Sequence, residues 1–253
     1  MRIAAVGDSF MEGIGDEVVG PDGVLGEPRG WADRVVEQLA QRLDEPVYYA
    51  NFAIRGRILK PIATTQLDAA LALDPKPDLI LFNGGGNDML RPTFNVKKMI
   101  RLTELAIDKC REAGVRLVFV TGAHPTERLP LARRMDGRGD AYMDAATELV
   151  SRTGNELISN WGDDHIRDAR YWADDRLHLG PLGHERVAAA VLTALGYPTD
   201  FPDEGDPAPP ATFRSEAHYA RVHVLPYIGR RLASRSTGRG REPKYATWHL
   251  MGE

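Results

Sequence analysis

The chain has 253 residues, 43% of them hydrophobic, which is enough for one main α/β domain with a closed core. Lys plus Arg number 32 against 36 Asp plus Glu, and the net charge of -4 provides no basic field for nucleic acid or an anionic membrane. A single cysteine excludes an intrachain disulfide and a Cys-rich metal centre, and no stretch reaches the roughly 18 apolar residues of a bilayer span.

The N-terminus runs directly into an apolar strand at 3–6 without a cationic and long apolar leader, so we expect no export signal and a cytoplasmic protein. Further apolar runs at 47–51, 79–82 and 117–121, and a weaker one at 157–159, predict four more strands. Amphipathic stretches at 31–43, 60–73, 96–113, 142–153 and 183–195 predict helices between them. In the third helix Met99, Leu102, Ala106 and Cys110 share a face, and Gly114 offers a left-handed stop, so Cys110 is read as core and not as a nucleophile. Strands alternating with helices predict an α/β fold, a three-layer α/β/α sandwich around a five-stranded parallel sheet. This domain is expected to occupy 1–197. Pro198, Pro202, Pro207, Pro209 and Pro210 punctuate an acidic stretch read as a linker over 198–210. The remaining 211–253 form a basic extension, read as one helix followed by a loose end. Its Arg230, Arg231, Arg235, Arg239, Arg241 and Lys244 are read as a solvated run.

Polar and small residues gather where open α/β sheets place their sites, at strand ends and helix starts. Strand one ends in Gly7-Asp8-Ser9-Phe10, strand two is followed by Arg55-Gly56, and strand three runs into Gly84-Gly85-Gly86-Asn87-Asp88. The last block is Asp175-Arg176-Leu177-His178, with Pro181 and Gly183 opening the final helix. Each tripeptide alone is a common turn, but their order and spacing together are specific. At these residues, over 1 to about 196, the sequence resembles the SGNH hydrolases, also called the GDSL family, with Phe10 where Leu is usual. The name-giving Ser, Gly, Asn and His fall on Ser9, Gly56, Asn87 and His178. The tail is similar to extensions on some intracellular actinobacterial members.

The resemblance implies a flavodoxin-like SGNH fold and a carboxylic ester hydrolase with no cofactor and no metal. Ser9 would be the nucleophile, activated by His178, an imidazole suited to proton transfer near neutrality, while Asp175 orients that ring. Backbone N–H groups of Ser9 and Gly56 and the Asn87 amide would form the oxyanion hole; losing one such donor costs roughly a hundredfold to a thousandfold. The partner implied is a small-molecule acyl ester, with no nucleic acid and no membrane span. The family includes lysophospholipases, thioesterases, short-chain esterases and carbohydrate acetyl esterases, and the motifs do not choose among them.

An α/β-hydrolase elbow needs Gly-x-Ser-x-Gly, whereas Met11 stands two after Ser9. Gly84 to Gly86 lack the Lys-Ser or Lys-Thr of a phosphate loop. Asp163, Asp164 and His165 are read as a solvated loop and not as metal ligands, Asp8 as a turn former, and His184 as partly exposed. A metal-dependent phosphoesterase and a non-catalytic lipid- or glycan-binding domain remain the alternatives. Loops after Ser9, after Asp88 and over 124–135 are expected to line the substrate pocket. They bring Phe10, Met11, Met89, Phe94 and Leu129 beside Arg91, Arg128, Arg133 and Arg134, apolar walls with a basic rim that suits an anionic leaving group.

Overall fold

The structure is a computed structural model that describes residues 1–20, 25–124, 132–202, 207–226 and 237–252. From the N-terminus, β1 (Arg2–Val6) leads into the single turn α1 (Ser9–Glu12), the hairpin β2 (Glu17–Val19) and β3 (Leu25–Pro28), and helix α2 (Gly30–Arg42). Next come β4 (Val47–Asn51), helix α3 over 59–71, β5 (Leu79–Phe82), the turn α4 (Gly86–Met89), α5 (Val96–Ala113) and β6 (Arg116–Val120). The chain continues through α6 (Ala132–Thr153), β7 (Glu156–Ile158), α7 (Pro181–Ala194), α8 over 213–224 and β8 (Tyr245–Met251).

The main sheet runs in the order β7-β6-β5-β1-β4-β8, and every neighbouring pair is parallel except β4 and β8. A parallel strand is covered on both faces and therefore reads as continuously apolar, as Ile3 to Val6 do. Ile3 and Ala5 enter a core with Met11, Trp31, Val35, Leu39, Val187 and Val191, from α1, α2 and α7. Ala4 and Val6 point to the other face, against Leu59, Ile62, Leu67, Met99, Ala106 and Tyr142 of α3, α5 and α6. Full burial of each large side chain, Trp31 and Leu39 among them, contributes about 1.5–3 kcal/mol. The three layers follow from these two apolar faces. Strand order reverses at β1, which has β4 on one side and β5 on the other. In α/β sheets ligands bind outside the carboxyl ends of the strands at such a reversal.

Helix ends agree with their sequence signals. Asn95 caps α5 by accepting the Lys98 N–H, Gly114 ends it at φ 71, and Pro181 occupies the first turn of α7. Helix α6 begins ten positions before the expected 142. Gly137 and Gly139 break its apolar period, and Gly139 is small because the Trp161 ring lies against it; a Cβ there would stand 2.0 Å from Cζ2.

Among the described residues the main sheet has six strands, not the five expected, and the added one comes from the tail. Antiparallel β8 pairs Met251, Leu250 and His249 with Val47, Tyr48 and Tyr49, in place of the expected loose end. Lys244, read as solvated, is buried beside Asp33 and forms an ion pair with it while also donating to the Pro28 carbonyl. The alternation that marks a strand is weak over Tyr245 to Met251, because this edge strand is unevenly covered. Among the described residues no helix is long and apolar enough to cross a membrane.

Candidate active site

β1 ends at Val6, and Gly7 and Asp8 turn the chain into α1, whose first residue is Ser9. Position 7 must be glycine, since a Cβ would stand 2.6 Å from Met11 Cβ and 3.3 Å from the Asn83 carbonyl oxygen. Asp8 caps the turn, its Oδ1 accepting the Phe10 N–H at 3.1 Å. Behind it, the buried Gln66 side chain accepts from Gly7 N–H at 2.8 Å and donates to Gly7 O at 3.0 Å. A π turn over Ile62–Gln66 delivers that carboxamide, and such turns recur at functional sites.

Asp175 and His178 lie on a turn closed by Ala173 N–H to His178 O and Arg176 N–H to Ala173 O, both 2.9 Å. This turn meets α1 across 169 residues of sequence: Ser9 Oγ is 3.0 Å from His178 Nε2, and His178 Nδ1 is 2.6 Å from Asp175 Oδ2. The carboxylate accepts Nδ1–H, which leaves Nε2 to accept the Ser9 hydroxyl proton. Asp175 Oδ1 also takes the Leu177 and His178 N–H groups at 3.0 Å. Burial alone would raise the Asp175 pKa, but the bond to His178, its charge and these two N–H donors outweigh it and lower the value to about 2. The carboxylate is therefore ionised throughout the physiological range.

Gly56 adopts φ 76, the left-handed region open to glycine, in the loop after β4. Its neighbour Arg55 is clasped by Glu12 of α1: Arg55 Nε donates to Glu12 Oε1 at 2.8 Å, and the Arg55 N–H donates to Oε2. Asn87, in the first turn of α4, donates from Nδ2 to Asp8 Oδ2 and to the Arg57 carbonyl, each at 3.0 Å. The amide thus joins the Ser9 turn to the Gly56 loop. The Asp8 carboxyl is pushed up to about 6 by burial, against the Phe10 N–H and the Asn87 amide that favour its charge. Asp88 Oδ2 accepts the Leu59 N–H at 2.8 Å and so holds the start of α3 beside the site.

Several other expectations are settled by packing. His184 is not partly exposed: it is fully buried, with Nδ1 accepting the Trp31 N–H and Nε2 donating to the Ile14 carbonyl, both at 3.1 Å. Burial lowers its pKa to about 4, leaving the ring neutral. Met11, expected in a pocket wall, is fully buried in the core with Trp31, while Phe94 is half-buried beneath the Arg138 guanidinium. Leu129 and Arg128, and the side chains of Arg133 and Arg134, lie outside the described residues. Asp163 is committed to Arg186 at 2.6 and 3.0 Å. Gly84 is small because Leu59 Cδ1 would stand 2.9 Å from a Cβ there. Cys110 is core, its thiol pushed up to about 12 by burial.

Sequence reasoning did not single out Gln66 or Glu12. Gln66 falls on the buried face of α3 with Ile62, Ala63 and Ala70, and a polar residue on such a face is the signal available. Glu12 is the second acid of the Gly7-to-Gly13 block, after Asp8, and nothing in its local pattern marks it apart.

A family description, GDSL-like lipase/acylhydrolase, matches residues 5–186, well over half of the chain. No curated protein matches the sequence. Among solved structures, the psychrotrophic esterase EstA from Pseudoalteromonas sp. is similar, with TM-score 0.60 and 19% identity over 77% of this chain and 96% of that one. A variant of Axe2, an acetyl xylan esterase from Geobacillus stearothermophilus, is similar with TM-score 0.57 and 20% identity, covering 79% of this chain and 96% of its own. A lipase/acylhydrolase from Enterococcus faecalis also gives TM-score 0.57 and 20% identity, with 83% and 99% covered. At these identities the structural likeness speaks for the fold, whereas the family match extends from β1 through the Asp175–His178 turn into α7. The chain belongs to the GDSL-like lipase/acylhydrolase family of carboxylic ester hydrolases.

Proposed function

We propose that this protein cleaves small or medium acyl esters through an acyl-enzyme on Ser9. As Ser9 Oγ attacks the ester carbonyl, its proton passes to His178 Nε2, and Asp175 stabilises the imidazolium that results. The Ser9 and Gly56 N–H groups and the Asn87 amide meet the oxyanion. For Asn87 this means redirecting the N–H now aimed at Asp8, while its bond to Arg57 O keeps the amide plane in register. The tetrahedral species collapses with departure of the alcohol, which takes the proton back from His178. Water then attacks the acyl-enzyme by the same route, with His178 as base, and releases the acid.

The reading is carried by the unbroken hydrogen-bonded line from Asp175 through His178 to Ser9, lying at the strand-order reversal. We take O-acetylated compounds, short-chain esters or lysophospholipids as the substrate class; the family description supports an acyl ester, and the similar Axe2 is named an acetyl xylan esterase. The test is Ser9→Ala with a chromogenic short acyl ester. Turnover is expected to drop about a thousandfold or more with the fold intact by circular dichroism. Undiminished hydrolysis by the variant would refute the assignment. A serine-directed phosphonate should inactivate the wild type and a chelator should not; the reverse pattern identifies a metal-dependent phosphoesterase.

A further inference from the structure

Residues after 212 lie beyond the family-matched segment 5–186, yet they touch both loops of the site. On one side stands Arg176, next to Asp175, with φ 58, the left-handed region that L side chains rarely adopt. Its guanidinium is held by Glu216, Nη1 to Oε2 at 2.9 Å and Nη2 to Oε1 at 2.6 Å, and lies 3.9 Å over the Tyr219 ring. The Tyr219 hydroxyl donates to the Asp175 carbonyl at 3.3 Å. A capping box between Thr212 and Ser215 fixes where α8 begins, and so where Glu216 and Tyr219 fall on it. On the other side Gly238 rests on the Gly56 loop, where a Cβ would stand 2.1 Å from Arg55 O and 2.8 Å from Ile54 Cγ2.

A non-glycine residue persists at positive φ when its surroundings over-determine it. For Arg176 those surroundings include Glu216 and Tyr219. Glu216 is itself 44% exposed, so its pair with Arg176 adds little to global stability. The contact instead fixes the geometry of the turn.

We propose that Glu216 and Tyr219 are positioning residues for ester hydrolysis: by gripping Arg176 and the Asp175 carbonyl, they hold the turn that presents Asp175 and His178 to Ser9. The proposal rests on the Ser9 reading above. When the grip is lost the turn relaxes, the His178–Ser9 line lengthens, and proton transfer slows while substrate binding is untouched.

The test uses the full chain and steady-state hydrolysis of a short acyl ester, below each variant's own melting midpoint. Glu216→Gln and Tyr219→Phe are each expected to lower kcat on the order of tenfold, with KM changed by less than about twofold and phosphonate labelling of Ser9 slowed in step. Glycine holds φ 58 unaided, so Glu216→Gln added to Arg176→Gly should cause no further loss. Phe213→Ser, at a 92% exposed position of the same helix, should leave kcat unchanged. Wild-type kcat in both Glu216→Gln and Tyr219→Phe, or a loss carried by KM alone, overturns the proposal. Ser9→Ala, run alongside, separates the cases: an inactive Ser9→Ala with unaffected tail variants leaves the esterase reading standing, and an active Ser9→Ala removes both.

Discussion

His184 is enclosed by Trp31, Phe10 and the backbone at Ile14, with both ring nitrogens engaged by main-chain groups. In the unfolded chain the imidazole gains a proton near pH 6.5, whereas in the fold it resists until about 4. Between those values the unfolded state binds more protons, so the stability His184 contributes is present above 6.5 and is lost as pH falls toward 4. Asp8 and Asp33, both raised to about 6 by burial, act in the opposite sense: the folded state keeps protons that the unfolded chain releases above 3.8. The His184 contribution is therefore read as a difference. His184→Gln is expected to be about 1–3 kcal/mol less stable than wild type at pH 7.5 by urea unfolding, with the gap narrowing at pH 4.5. A gap that stays constant would mean the ring is not held neutral. Ser9, Gly56, Asn87, Asp175 and His178 could be singled out from sequence as candidates because each role proposed for them needs a particular residue type, and of these the structure joins Ser9, His178 and Asp175 in one hydrogen-bonded line. Partners such as Gln66, Glu12 and Tyr219 could not, because what they do is set by neighbours 40 to 60 positions away.

At the level of elements, β8 is fastened at its entry by Lys244 and along its length by the β4 ladder. Asp33 and Lys244 are 7% and 9% exposed, and removing one partner strands the other charge away from water. Lys244→Ala is expected to cost about 3–5 kcal/mol in urea unfolding, and Asp33→Leu combined with Lys244→Met to recover most of it. A loss below about 1 kcal/mol would show that the ladder alone holds the strand. The parallel strands were legible because burial on both faces writes an uninterrupted apolar run, as in Leu79 to Phe82. β8 was not, because an edge strand alternates imperfectly and its pairing is decided by Val47 to Tyr49, far back in the chain. The short β2–β3 hairpin was hidden for a related reason, since Val18 and Val19 are exposed and its register shifts between Glu17 and Val19.

For the whole molecule, β8 determines which edge the sheet shows to solvent. Without it, β4 would present unpaired backbone along Val47 to Asn51, beside the half-exposed Tyr48. A protein lacking 245–253 is expected to self-associate during refolding, seen as increased light scattering relative to the full chain. A monodisperse, soluble monomer of unchanged melting midpoint would contradict this. There is also a consequence for the order of synthesis. Lys244 leaves the ribosome 211 residues after Asp33, which at about 5–20 residues per second is a delay of roughly 10–40 s. A nascent chain paused short of that point already carries Ser9, Asp175 and His178, but on a sheet whose flank is still open and whose Asp33 has met no cation.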